Sequence, residues 1–169
     1  LERAVAAYAG EEPLELTEGS ERELSAALAS GSIDLALTLV GEGAEALLEE
    51  DYCMALPAAH PLAGETWVEA ADLAGDTMIA RRACEVLADT SRFFTRHGVR
   101  PLFALRSAND DRVMAMVRAG LGVTVAPRSL GCAGVAMVNV RGFRPVRRIG
   151  LVPGAHAAQH IALRAALAG

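Results

Sequence analysis

Lysine is absent from this 169-residue chain, so all 16 of its basic side chains are arginine. Against them stand 21 acidic residues, for a formal net charge of −5. A nucleic-acid-binding module usually presents a basic patch on a basic domain, so direct DNA binding by this chain is not expected. Aromatics make up only 4% of residues while 52% are hydrophobic, which predicts a core of Ala, Leu, Val and Met. The three cysteines, Cys53, Cys84 and Cys132, are odd in number and lack a C-x-x-C spacing. That pattern excludes a disulfide framework and a structural zinc site, and it reads as reduced thiols. No apolar run reaches the roughly eighteen residues of a membrane span, and no basic segment leads into an apolar one. A cytoplasmic domain with no membrane partner is therefore expected. The chain opens on Leu1 rather than Met, which reads as a trimmed chain.

The charge is unevenly spread. Residues 1–65 hold 14 acidic and 2 basic side chains, whereas residues 66–169 hold 7 and 14. Such halves attract each other, within one chain or between two, unless folding averages the asymmetry out.

Helical and strand patterns alternate along the chain. Residues 2–9 read as a helix stopped by Gly10 and Pro13, and "LELTE" (14–18) reads as a short alternating strand. In "GSERELSAALASG" (19–31), Ser20 and Glu23 have the spacing of a capping box. Leu24, Ala27 and Leu28 form one apolar face, and Gly31 sits at the left-handed C-terminal cap. "IDLALTLV" (33–40) is apolar enough for a strand buried on both faces of a parallel sheet. Further strands are predicted at 47–57, 77–81, 102–107, 123–127, 135–140 and 145–153. A short helical or turn segment is expected at 68–76. Helices are expected at 89–98 with Asp89 as cap, at 108–120 with Val113, Met116 and Val117 buried, and at 156–168. The alternation indicates an α/β fold of two small lobes with mostly parallel sheets.

The motif order resembles the effector-binding (substrate-binding) domain of LysR-type bacterial transcription regulators. The resemblance is carried by "EGSERELSAALASGSIDLALTL" (18–39), "ALPAAHPLAG" (55–64), "VEAADLAGDTMIA" (68–80), "FFTRHGVRP" (93–101) and "SANDDRVMAMVRAGLGVTVAP" (107–127). These pieces follow one another over most of the chain. The resemblance implies a fold like that of type 2 periplasmic binding proteins, with two α/β lobes joined by two crossover strands around a ligand cleft. Regulatory lobe I would be 1–54 plus 145–169, and lobe II would be 55–144. It also implies a small-molecule effector, a homodimer or homotetramer, and DNA contact only through an N-terminal winged helix-turn-helix domain. That domain and the first strand of lobe I are not seen in this sequence.

The candidate site residues are Ser20, Thr38, Arg81, Arg82, Ser107 and Asn109. Ser20 reads as an N-cap, and the resemblance adds effector contact, since helix N-termini at strand ends bind anions. Thr38 is a hydroxyl in an apolar run, either bonded to backbone or lining the cleft. Arg81 and Arg82 end a strand together, so alternation turns at least one toward the cleft, where it can fork onto a carboxylate or phosphate of the effector. Ser107 and Asn109 stand at a helix start, where the family places a polar group facing ligand. Cys84, near two arginines, is a candidate low-pKa thiol.

His60 lacks the partners that catalysis needs, and His60–Pro61 reads as a turn after a crossing strand. His97 reads as a C-terminal cap. His156 and His160 share a helix face without a third metal ligand. "GLG" (120–122) is too short for a phosphate loop. No motif calls for a cofactor, a metal or a catalytic role, and the domain is expected not to be an enzyme. The other reading of the same fold is a transporter's solute-binding protein, separated from the first by what lies upstream.

Overall fold

Ser20 and Glu23 cap a helix reciprocally: the Glu23 carboxylate accepts from the Ser20 backbone N–H at 2.8 Å, and the Ser20 hydroxyl accepts from the Glu23 N–H at 3.4 Å. This fixes the start of α2 (Glu21–Ser30), and Gly31 closes it at φ +71°. The computed structural model describes residues 2–8, 13–154 and 166. The chain divides into unit 1, residues 1–49 with 148–169, and unit 2, residues 50–147.

Unit 1 contains α1 (Glu2–Ala7), α2 and β1 (Leu35–Leu39), and α2 packs on β1. β1 pairs antiparallel with the end of β8 (Val146–Pro153), Leu35 opposite Pro153 and Leu39 opposite Ile149. The expected parallel, doubly buried strand is therefore corrected. Only Ala36 is fully buried in β1, and Leu37 is 38% exposed. An apolar run records burial but not the direction of its partner. Residues 13–20 form no strand, contrary to the alternation at 14–18. Alternation makes a strand only where a second edge can take the backbone groups, and no ladder partner for this segment lies among the described residues. The expected helix at 156–168, with His156 and His160, lies outside the described residues except for Ala166.

Unit 2 is built around β2 (Leu48–Pro57), whose residues Tyr52–Leu56 are at most 2% exposed. β2 pairs antiparallel with β6 (Thr124–Pro127) and with β7 (Val135–Val140), and β7 runs parallel to β3 (Trp67–Val68). β4 (Thr77–Arg81) and β5 (Leu102–Ser107) pair in parallel, with a bulge after Met78. The α/β fold is thus present with mixed rather than mostly parallel sheets.

Gly122 permits the join between β4 and β6. The Ile79 N–H donates to Val123 and the Val123 N–H donates to Thr77, both at 2.8 Å. A Cβ on Gly122 would lie 2.4 Å from the Thr77 carbonyl oxygen. The "GLG" stretch is a close backbone crossing next to a helix stop, with Gly120 at φ +81°.

α3 (Leu87–Arg96) starts two residues before Asp89, with Val86 at the cap and no side-chain bond there. Asp89 instead lies in the first turn, where its charge suits the helix dipole. At the other end the His97 ring Nδ1 lies 2.9 Å from the Phe93 carbonyl, and Gly98 turns the chain at φ +72°. α4 (Asp110–Arg118) buries Val113, Met114 and Val117, and the expected Met116 is only half-buried. Four of the seven aromatics, Tyr52, Phe93, Phe94 and Phe143, are buried among Leu73, Val125 and Val138, while Trp67 and Phe103 are exposed. The expectation of a core without aromatics fails for this reason.

Candidate ligand-binding site

Four of the six candidate residues meet at one place. Arg81 ends β4 opposite Ser107, which ends β5, and the Arg82 N–H donates to the Ser107 carbonyl at 2.7 Å. The Ser107 hydroxyl accepts from the Asn109 N–H at 3.1 Å. The Asn109 side chain in turn accepts from the Arg112 N–H at 2.7 Å and caps α4. Two parallel strand ends and a helix N-terminus therefore converge within unit 2, the arrangement at which α/β folds bind ligands.

The two arginines differ sharply. Arg81 is 4% exposed and forks onto the protein's own Asp110, with Nε to Oδ1 at 2.8 Å and Nη2 to Oδ2 at 2.6 Å. Its Nη1 also donates to the Cys84 sulfur and to the Val125 carbonyl, each at 3.4 Å. Burial works against the charge, but Asp110 more than compensates and holds the Arg81 pKa above its ordinary value. The fork expected for an effector is thus taken up inside the protein. Arg82 is exposed, and no acceptor for its guanidinium is found among the described residues. The Ser107 hydroxyl hydrogen and the Asn109 amide are equally uncommitted. Asp111 adds a second carboxylate to the first turn of α4.

Ser20 and Thr38 lie on unit 1. The Ser20 hydroxyl is engaged with Glu23 at 2.6 Å. Thr38 is half-buried in β1 opposite Gly150.

Cys84 does not have the environment expected of it. It is 8% exposed, and burial raises its thiol pKa more than the nearby Arg81 lowers it. His60 is fully occupied by structure: its Nδ1 accepts from the Leu62 N–H at 3.1 Å and its Nε2 faces Asp76 at 2.9 Å. Among the described residues no three His, Cys, Asp or Glu side chains gather as a metal site. No helix among them is long and apolar enough to cross a membrane.

Sequence reasoning missed a second polar centre. Glu50, its side chain 7% exposed, accepts from the Ser129 N–H at 2.6 Å, the Ser129 hydroxyl at 2.9 Å and Arg147 at 2.7 Å. Burial alone would raise its pKa, but these donors outweigh it and hold the carboxyl below its usual value. Burial and the Glu85 carboxylate push the Tyr52 phenol pKa up. Nothing local in "EED" (49–51) marks Glu50, because its partners lie 79 and 97 residues away.

Residues 9–168 match the model of the LysR substrate binding domain. The chain belongs to this family. A probable hydrogen peroxide-inducible genes activator of Mycobacterium avium is 33% identical over 151 residues, 82% of this chain and 49% of that protein. The chain spans less than half the length of the curated relatives it matches. Both are described as regulators, the second being a RuBisCO operon transcriptional regulator of Allochromatium vinosum. Neither description is of a transport protein, and the solute-binding reading is set aside. The C-terminal domain of a probable LysR family regulator from Rhodococcus superposes with a TM-score of 0.74 at 24% identity, covering 97% of this chain and 88% of that one. The BenM effector binding domain with its effector benzoate gives 0.69 at 19% identity, covering 99% and 83%. These likenesses establish a periplasmic-binding-protein-like fold of the LysR effector-binding kind.

Proposed function

We propose that this chain is the ligand-sensing regulatory domain of a LysR-type transcription regulator. It acts in the cytoplasm as a homodimer or homotetramer and controls DNA through a separate N-terminal winged helix-turn-helix domain. The observation that carries the reading is the family match over residues 9–168. The effector is a small anion, more specifically a carboxylate, held by Arg82 with Ser107 and Asn109. The exposed guanidinium of Arg82 beside two uncommitted donors supports this choice, since charge-assisted bonds to several donors at once are the strong ones. Arg81 acts as a positioning residue that holds the head of α4 through Asp110. Effector binding and DNA binding are then reciprocally coupled. The domain performs no catalysis in this reading.

A thermal-shift screen of the 169-residue chain against aromatic acids, amino acids and metabolic carboxylates tests it. At least one carboxylate should raise the melting temperature, and Arg82→Glu should abolish that rise. A hit that binds Arg82→Glu as tightly as the wild type refutes the placement.

A further inference from the structure

Unit 2 also holds an open-mouthed cavity of about 240 Å³ between α3 and the β4–β5 sheet, with Arg81 among its lining residues. Its walls include Met78, Phe94, Val99, Phe103 and Val125. Phe103 is 47% exposed, with the Arg106 guanidinium 4.2 Å above its ring. Two of the lining hydroxyls are satisfied within the protein. The Thr124 hydroxyl donates to the Ile79 carbonyl at 2.7 Å, and the Thr90 hydroxyl donates to the Val86 carbonyl at 2.8 Å. The one buried guanidinium, Arg81, is neutralised by Asp110 at 2.6 Å.

We infer that this cavity is a second ligand site, which takes a small uncharged ring compound. A cavity of about 150 Å³ lined by Leu, Ile and Phe accepts benzene, so this one has room for a ring with a short substituent. The walls give such a molecule apolar burial. An ionised carboxylate is disfavoured in the interior, where it would shed its hydration beside an Arg81 already neutralised by Asp110; the other lining arginine, Arg100, is exposed. The apolar interior therefore favours an uncharged ring. It rests on unit 2 alone and stands or falls separately from the proposed regulatory function.

The experiment is an amide NMR titration of the 169-residue chain with toluene and, separately, with benzoate. Toluene should give saturable shifts in α3 and β5 and raise the melting temperature, while benzoate leaves those amides unmoved. Ser91 and Thr95 are exposed residues of α3 that line the cavity. Ser91→Phe and Thr95→Phe, which fill its mouth, should each abolish the toluene shifts with unit 1 amides unchanged. Arg96→Ala, on the same helix but not lining the cavity, should preserve them. Absence of saturable toluene binding, toluene shifts retained in both filled variants, or benzoate moving the same amides as strongly would each overturn the inference.

Discussion

Replacing Asp110 by Asn should destabilise the protein more than replacing its partner Arg81 by Met. The side chain of Arg81 is 4% exposed and that of Asp110 is 34% exposed. Removing the carboxylate strands a guanidinium that water barely reaches. Breaking a buried pair from one side costs about 3–5 kcal/mol, and the partial openness of Asp110 favours the lower end, about 3 kcal/mol. Removing the guanidinium leaves a carboxylate that hydrates, and the loss is about 1–2 kcal/mol, part of it from the lost hydrogen bond to the Val125 carbonyl. At about 2–4 °C per kcal/mol for a chain of this size, the melting temperature should fall by roughly 6–12 °C in Asp110→Asn. The corresponding fall in Arg81→Met is roughly 2–8 °C. The double variant should resemble Arg81→Met alone, giving a coupling energy of about 3 kcal/mol in magnitude, the whole of the Asp110→Asn loss. Urea unfolding of the four proteins measures all of this. A smaller loss in Asp110→Asn than in Arg81→Met, or simple additivity in the double variant, would show that the pair is not an isolated buried charge and its counter-ion.

Three further outcomes are expected. The folded state holds the Glu50 pKa below its ordinary 4.5, so its contribution is present above that pH and fades as pH falls through the lower folded value. Urea midpoints taken from pH 6 to pH 3 should therefore decline less steeply for Glu50→Gln than for the wild type, and parallel curves would contradict the network. Of the three thiols, Cys132 is exposed while Cys53 and Cys84 are buried; a thiol reagent should label Cys132 quickly and the other two only on unfolding, and rapid labelling of Cys84 would refute its burial-raised pKa. Gly122→Ala should cost about 3 kcal/mol in denaturant unfolding, because its Cβ meets backbone rather than a side chain that can move; a neutral effect would show that β4 and β6 part easily.

Local chemistry was the readable part of this sequence. The Ser20–Glu23 capping box and the strands 77–81, 102–107 and 135–140 follow from spacing over a few residues; at the start of α4 either Ser107 or Asn109 could serve as the cap, and it is Asn109. The misreadings share a different cause. "LELTE" alternates without forming a strand, and "LALTL" pairs antiparallel, because both outcomes depend on which distant edge is available. Asp89 looked like the cap of α3, yet the packing of Phe93 and Phe94 lets the helix begin at Leu87 without a capping side chain. In the candidate site, the pairing of Ser107 and Asn109 could be foreseen from their proximity. The assignment of Arg81 to Asp110 could not, since 29 residues separate them and nothing but the β4–β5–α4 path brings them together. That one ion pair decides which of two adjacent arginines is left to meet a ligand.

The Glu50–Arg147 ion pair joins the first and last residues of unit 2 at 2.7 Å. A segment whose two ends are fastened to each other is a clasped loop of the polypeptide. Its interior order does not depend on being held taut from outside, because the ladders of β2 with β6 and β7 and of β4 with β5 close within residues 50–147. Adjacent ends are what permits a domain to be inserted, excised or permuted. Residues 50–147 can accordingly be treated as an exchangeable module. With the clasp bridged by a short glycine linker, new chain ends can be opened at an exposed turn such as 97–98, after α3.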